Sequence, residues 1–146
     1  MQTTVPERKS LADDSTFFKK LFDDVLNAWH SQDSSKAAPF YSQEPNLNFF
    51  DFAPLKFTGW EEYADGVQRM FFDNMPPNSS GFQLSDDFQV KRFGSGAVTN
   101  ATFHFWAKMK DGSKIENDGR VTTVWEKSGD KWLIVHDHWS FPFSPK

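Results

Sequence analysis

Residues Arg120 to Pro142 constrain the fold most tightly. Two runs rich in β-branched and aromatic side chains, Val121 to Trp125 and Trp132 to His138, flank the turn-forming spacer Ser128-Gly129-Asp130. A spacer of that kind reverses the chain, so the runs pair as an antiparallel hairpin. The same pattern repeats upstream. Strand-like runs cover about Phe82 to Phe93, Ala97 to Lys110 and Ser113 to Lys127, broken at Gly94-Ser95-Gly96 and Asp111-Gly112. The C-terminal half therefore reads as a long antiparallel meander.

The N-terminal half has a different period. Phe17, Phe18, Leu21, Phe22, Val25, Leu26 and Trp29 recur at helical spacing, with Asp14 or Ser15 placed to cap the helix. Ser34 or Ser35 can start a shorter helix over about Lys36 to Tyr41, closed by Pro45, and Leu47 to Phe52 reads as a strand. Thr58-Gly59-Trp60-Glu61 fits a capping box. It opens a helix whose apolar stripe is Trp60, Tyr63, Ala64, Val67, Met70 and Phe71, ending near Pro76-Pro77. Residues 1–14 are polar and read as a flexible leader, which leaves 15–146 as a single domain. Helices first and strands afterwards predict an α+β fold, a curved antiparallel sheet packed against N-terminal helices.

Composition adds a second constraint. Seventeen Phe and 6 Trp in 146 residues are more large rings than one small core readily absorbs. An apolar cavity or a subunit interface is the natural place for the surplus. In the run from Ala97, Phe103 and Phe105 occupy odd positions while Val98, His104 and Trp106 occupy even ones, so neither face is simply solvated. One face on helices and the other on a second copy of the chain would explain that, and a homodimer is expected. The net charge of −4, with no basic run longer than Lys19-Lys20 or Lys91-Arg92, argues against a nucleic-acid partner. Without cysteine there is no disulfide, thiolate metal site or cysteine nucleophile. No apolar run has membrane-spanning length, and residues 1–14 are too polar for a secretory signal. A cytoplasmic protein with no membrane partner is the resulting expectation.

The element order, with the tail Val124-Trp125 followed by Lys131-Trp132-x-Ile134-Val135-His136-x-His138-x-Ser140, resembles the nuclear transport factor 2-like superfamily of cone-shaped domains. Its SnoaL-like and ketosteroid-isomerase-like branches look nearest. The tail, together with Arg69-Met-Phe-Phe-Asp-Asn74, is also similar to the association domain of calcium/calmodulin-dependent protein kinase II. No kinase role is implied, since the likeness stops at that domain. The resemblance implies a homodimer formed through the sheets and a conical pocket between helices and sheet, which different members use for isomerisation, dehydration, cyclisation, epoxide opening or simple binding. A shared fold leaves that choice open.

Asp51 is the first candidate for chemistry. It closes the apolar run Leu47 to Phe52, near where the resemblance puts an isomerase's general base. Against Phe50, Phe52 and Trp60 its carboxylate would lose hydration and rise toward proton-transfer range. Otherwise it simply bonds a loop amide. The tyrosine and protonated aspartate of a steroid isomerase would fall at Val25 and near Thr122, which disfavours that reaction. Arg120 could clamp an anionic oxygen or pair structurally with Asp118, Glu116 or Asp137. His136 and His138 share one strand face, and the resemblance turns them outward while Val135, Asp137 and Trp139 face the cone. The same resemblance puts His104 and Trp106 on the pocket face.

Two readings follow. In one, the chain is a cofactor-free lyase or isomerase-like enzyme acting on a small hydrophobic carbonyl compound, with Asp51 or Asp137 as base, His104 as acid and Arg120 stabilising negative charge. Trp29, Phe50, Trp60, Tyr63, Trp106 and Trp139 would contact the ligand. In the other, it is a non-catalytic ligand-binding or dimerisation domain. Neither reading requires a cofactor or a metal.

Overall fold

The computed structural model describes residues 11–144, with side chains from residue 13 onward. The remainder of the expected leader, residues 1–10, lies outside the described residues. Helix α1 spans Leu11–His30 and so begins inside that leader, with Asp13 and Asp14 in its first turn, where carboxylates favour a helix N-terminus. Asp14 is also buried against Arg92, Nη1 to Oδ1 3.5 Å. Phe18, Phe22 and Val25 form its buried stripe.

A 3-10 helix, Ser34–Phe40, follows, and its cap is Asp33, which accepts from the Ser35 amide. The expected strand over Leu47 to Phe52 is reduced to β1, Asn48–Phe49, paired with β2, Phe57–Thr58. Helix α2 spans Trp60–Met70. The expected capping box is replaced by a different device: Gly59, at φ 82°, is the N-cap without a side-chain bond, and Glu62 accepts from the Thr58 amide at 2.5 Å. A left-handed φ of that size is inexpensive only for glycine.

The main sheet has five antiparallel strands: β3 Ser80–Leu84, β4 Gln89–Phe93, β5 Gly96–Lys108, β6 Lys114–Ser128 and β7 Lys131–Ser140. Its order is β3-β5-β6-β7, with β4 paired to the same edge of β5 as β3. The single run expected over Phe82 to Phe93 is thus two strands. Asp87 breaks it by accepting from both the amide and the hydroxyl of Thr102, at 3.0 and 2.7 Å, where ladder bonds would otherwise form.

Strand parity decides what the sheet offers the helices. On β5 the odd residues Ala97, Thr99, Ala101, Phe103 and Ala107 are buried, so the helix-facing side is the odd one. The terminal hairpin turns at Gly129 (φ 63°) and pairs Val121 with Trp139 and Trp125 with Ile134. Between Val124 and Trp125 the register shifts, because Val135 is an extra residue on β7. Ile134, rather than Val135, is consequently the fully buried residue at that level.

Candidate functional site

The free edge of β7 sets up the site. The chain beyond β1 lies along that edge: the Phe50 amide donates to the Asp137 carbonyl at 3.0 Å, and the Trp139 amide donates to the Phe50 carbonyl at 2.9 Å. Asp51 is thereby held beside Asp137, whose side chain points inward and is only 1% exposed. Further along, the Ser42 amide donates to the Ile134 carbonyl at 2.9 Å and carries Tyr41 to the same region. Tyr63 arrives from the first half of α2 and is also buried.

These four side chains bond to one another. Tyr41 Oη donates to Asp137 Oδ2 at 2.5 Å, and Trp29 Nε1 donates to Tyr41 Oη at 3.1 Å. Tyr63 Oη lies 3.0 Å from Asp51 Oδ2 and 3.4 Å from Asp137 Oδ2, so its one hydrogen serves one carboxylate at a time. Asp51 Oδ1 accepts from the Phe52 amide at 2.6 Å. The loop-amide role and the cavity role of Asp51 therefore coexist on different oxygens. Asp137 Oδ1 and Trp139 Nε1 are buried without a well-formed hydrogen bond, although the indole N–H is near enough to favour the ionised Asp137.

A cavity of about 110 Å³ opens beside this network. Its walls are mostly apolar, including Trp29, Phe52, Phe71, Phe82, Met75, Met109 and Trp139. Asp51, Tyr63, Ser80 and His30 are its polar lining, with His30 Nε2 3.1 Å from the Ser80 carbonyl oxygen. Among the described residues, lysine and arginine are absent from that lining. Burial pushes Asp51 up to about 6, against the opposing bonds from the Phe52 amide and Tyr63. Burial likewise raises Asp137 to about 7, opposed by the Tyr41 bond and reinforced by the nearby Asp51 charge. Both tyrosines are held well above their ordinary range, first by burial and then by Asp137. A carboxylate near neutrality in an apolar cavity has the properties of a general base.

Several sequence candidates fall elsewhere. His104 and Trp106 sit on the outer face of β5, because Phe103 and Phe105 on either side take the inward positions. His104 bonds Asp118 through Nδ1 at 2.8 Å and Glu116 through Nε2 at 3.0 Å, and those bonds raise its pKa. It therefore cannot act as an acid in the cavity. Trp106 lies over Gly81, where a Cβ would meet its indole nitrogen at 2.1 Å. Arg120 is exposed and donates to Ser140 Oγ at 2.8 Å, so it clamps neither Asp137 nor a cavity ligand.

Phe50 stands edge-on to the His136 and His138 rings, with centroids at 5.0 and 5.2 Å, and is outside the cavity. Trp60 is buried behind the site, stacked on Tyr41. Tyr41 is the functional candidate that sequence reasoning missed. One signal was available: the chain has only 2 tyrosines, and both join the network. Among the described residues no group of His, Asp and Glu is arranged to hold a metal ion.

Residues 19–144 match the SnoaL-like domain family. The chain belongs to that family. No curated protein matches the sequence. Among solved structures, this SnoaL-like chain is similar to an NTF2-like superfamily protein from Salmonella enterica subsp. enterica serovar Typhimurium str. LT2, with 22% identity and a TM-score of 0.74 over 90% of this chain and 95% of that one. The association domain of C. elegans CaMKII is 17% identical, with a TM-score of 0.68 over 91% and 99%. A proposed dehydratase of the NTF2-like family from Streptomyces avermitilis is 13% identical, with a TM-score of 0.73 over 92% and 100%. Identities this low establish the SnoaL-like domain's α+β fold and leave its chemistry to its own residues.

Proposed function

We propose that this SnoaL-like protein binds a small, uncharged hydrophobic carbonyl compound in the cavity and moves a proton on it without a cofactor, as a lyase or isomerase does. One observation carries the reading: Asp51, with burial pushing it up to about 6, is the carboxylate lining an otherwise largely aromatic cavity. Ionised near neutral pH and poorly solvated, it is suited to removing a proton from carbon next to a carbonyl. Tyr63 supplies a hydroxyl beside it. Described lining residues without lysine or arginine favour ligands that carry no carboxylate or phosphate. The likeness to a proposed dehydratase agrees with proton transfer as the class of reaction.

The test is hydrogen exchange. Cyclic enones and aryl ketones incubated with the protein in heavy water are followed by proton NMR. Exchange at the carbon next to the carbonyl is expected with the native chain and is lost in Asp51→Asn. If that variant exchanges at the native rate, Asp51 is not the base.

A second reading, an assembly domain, draws on the likeness to the association domain and on Trp106, which is 37% exposed on the outer sheet face. In it, two copies meet through the outer faces of β5, β6 and β7. The two readings are compatible, since the cavity opens on the other side of the sheet. Sedimentation velocity is expected to give a dimer that Trp106→Glu weakens.

A further inference from the structure

Asp51 and Asp137 come from different elements, and of the two only Asp51 lines the cavity. Both nevertheless approach the same hydroxyl, Tyr63 Oη, at 3.0 and 3.4 Å. Tyr41 binds Asp137 Oδ2 from its other side at 2.5 Å, while Asp137 Oδ1 has only the poorly aligned Trp139 indole N–H near it. The polar and titratable groups facing this cluster are few. Helix α1 presents Trp29 and His30, the latter turned to the Ser80 carbonyl. The segment after the 3-10 helix presents Tyr41 and α2 presents Tyr63. On β7 itself, the Trp139 indole N–H turns toward Asp137, and His136 and His138 flank Phe50 on the opposite side, with His136 Nδ1 2.6 Å from the Asn48 carbonyl oxygen. Among the described residues, no lysine or arginine lines the cavity. Two ionised carboxylates in such surroundings would repel each other without hydration or a counter-charge to offset the cost.

We infer that Asp51, Tyr63 and Asp137 form a proton relay in which the two carboxyls share a single proton, passed through the Tyr63 hydroxyl between Asp137 in reserve and Asp51 at the cavity. The step balances without any further reactant. The proton on Asp137 Oδ2 moves to Tyr63 Oη while the hydrogen of Tyr63 moves to Asp51 Oδ2. Asp137 becomes the carboxylate, Asp51 becomes the acid, and Tyr63 ends as a neutral phenol. Tyr41 remains a donor to Asp137 Oδ2 throughout, which keeps that oxygen directed at Tyr63. A ligand that touches only Asp51 then meets a base in one state and an acid in the other. Such a site suits a substrate that must lose a proton at one atom and regain one at another.

This inference rests on the reading of Asp51 as the cavity's base, but its test needs no substrate. The protein is labelled with carboxyl-13C aspartate and titrated by NMR, with Asp51 assigned from the signal missing in Asp51→Asn. In the native chain the Asp51 carbon is expected to titrate in two steps, because coupled groups respond to each other's ionisation. Asp137→Asn removes the coupling and should leave one step, near the lower of the two native ones. Tyr63→Phe removes a donor to the ionised Asp51 and should shift its midpoint up. A second step that persists in Asp137→Asn, or a midpoint unmoved in Tyr63→Phe, overturns the relay. If Asp137→Asn does not fold, the native curve decides, and a single step at Asp51 overturns it. Coupling seen without any ketone exchange would discard base catalysis and keep the relay; exchange dependent on Asp51 without coupling would do the reverse.

Discussion

Tyr41 and Asp137 show how much one hydroxyl can contribute in a dry setting. The phenol donates to a carboxylate that is otherwise short of partners, and it also accepts from Trp29. Tyr41→Phe leaves the ring packing in place but removes both bonds. Leaving buried polar groups unsatisfied costs about 1–3 kcal/mol. Because the lost bond favours the ionised Asp137, the cost should be larger at pH 8 than at pH 5, which chemical denaturation at the two pH values measures. Residues of this kind were unevenly legible in the sequence. Asp51 stood out as a charge ending an apolar run, and Asp137 as the alternate of two histidines. Tyr41 follows a short 3-10 helix, where no periodicity marks which side chain turns inward. His104 and Arg120 drew attention for their chemistry, yet each occupies an outward position in its strand.

Helix α2 and the small β1-β2 hairpin are fitted to each other through Gly66. A Cβ there would come within 2.2 Å of the buried Phe57 ring. Gly66→Ala gains about 1 kcal/mol of helix propensity. Forcing an extra methyl into a packed core costs about 1–3 kcal/mol. Overpacking should prevail, and urea denaturation should show net destabilisation; equal or greater stability would mean that Phe57 moves aside. Long elements were readable because their periods persist: α1, α2 and the hairpin turns all follow from spacing. Breaks set by single contacts were not. The Asp87 bonds to Thr102 divide one expected strand into two, and the extra Val135 shifts which residues of β7 reach the core. Neither leaves a repeated pattern in the sequence.

The buried carboxylates link the stability of the entire chain to pH. Folding raises Asp51 from 3.8 to about 6 and Asp137 from 3.8 to about 7. Between those limits the folded chain binds more protons than the unfolded one, so stability falls as pH rises. Their favourable contribution is complete below about pH 4 and is lost as pH passes through 6 and 7. Each pH unit over which one such group is protonated only in the folded chain changes stability by about 1.4 kcal/mol. Exposed Asp33, Asp87, Asp111 and Glu116, held low by hydrogen bonds, act in the opposite direction, at the acid end. Thermal melting is therefore expected to show Tm dropping between about pH 4 and pH 7, with a flatter profile in Asp137→Asn. A profile as steep in the variant as in the native chain would place the linkage elsewhere. No helix among the described residues is long and apolar enough to cross a membrane.

The proposed chemistry turns on whether Asp51 is a working base in the cavity, and the pH dependence of ketone hydrogen exchange decides that. The expected rate rises with pH through a midpoint of about 6 and vanishes in Asp51→Asn. Exchange no faster than in buffer, or a profile unchanged by that substitution, would rule the base out.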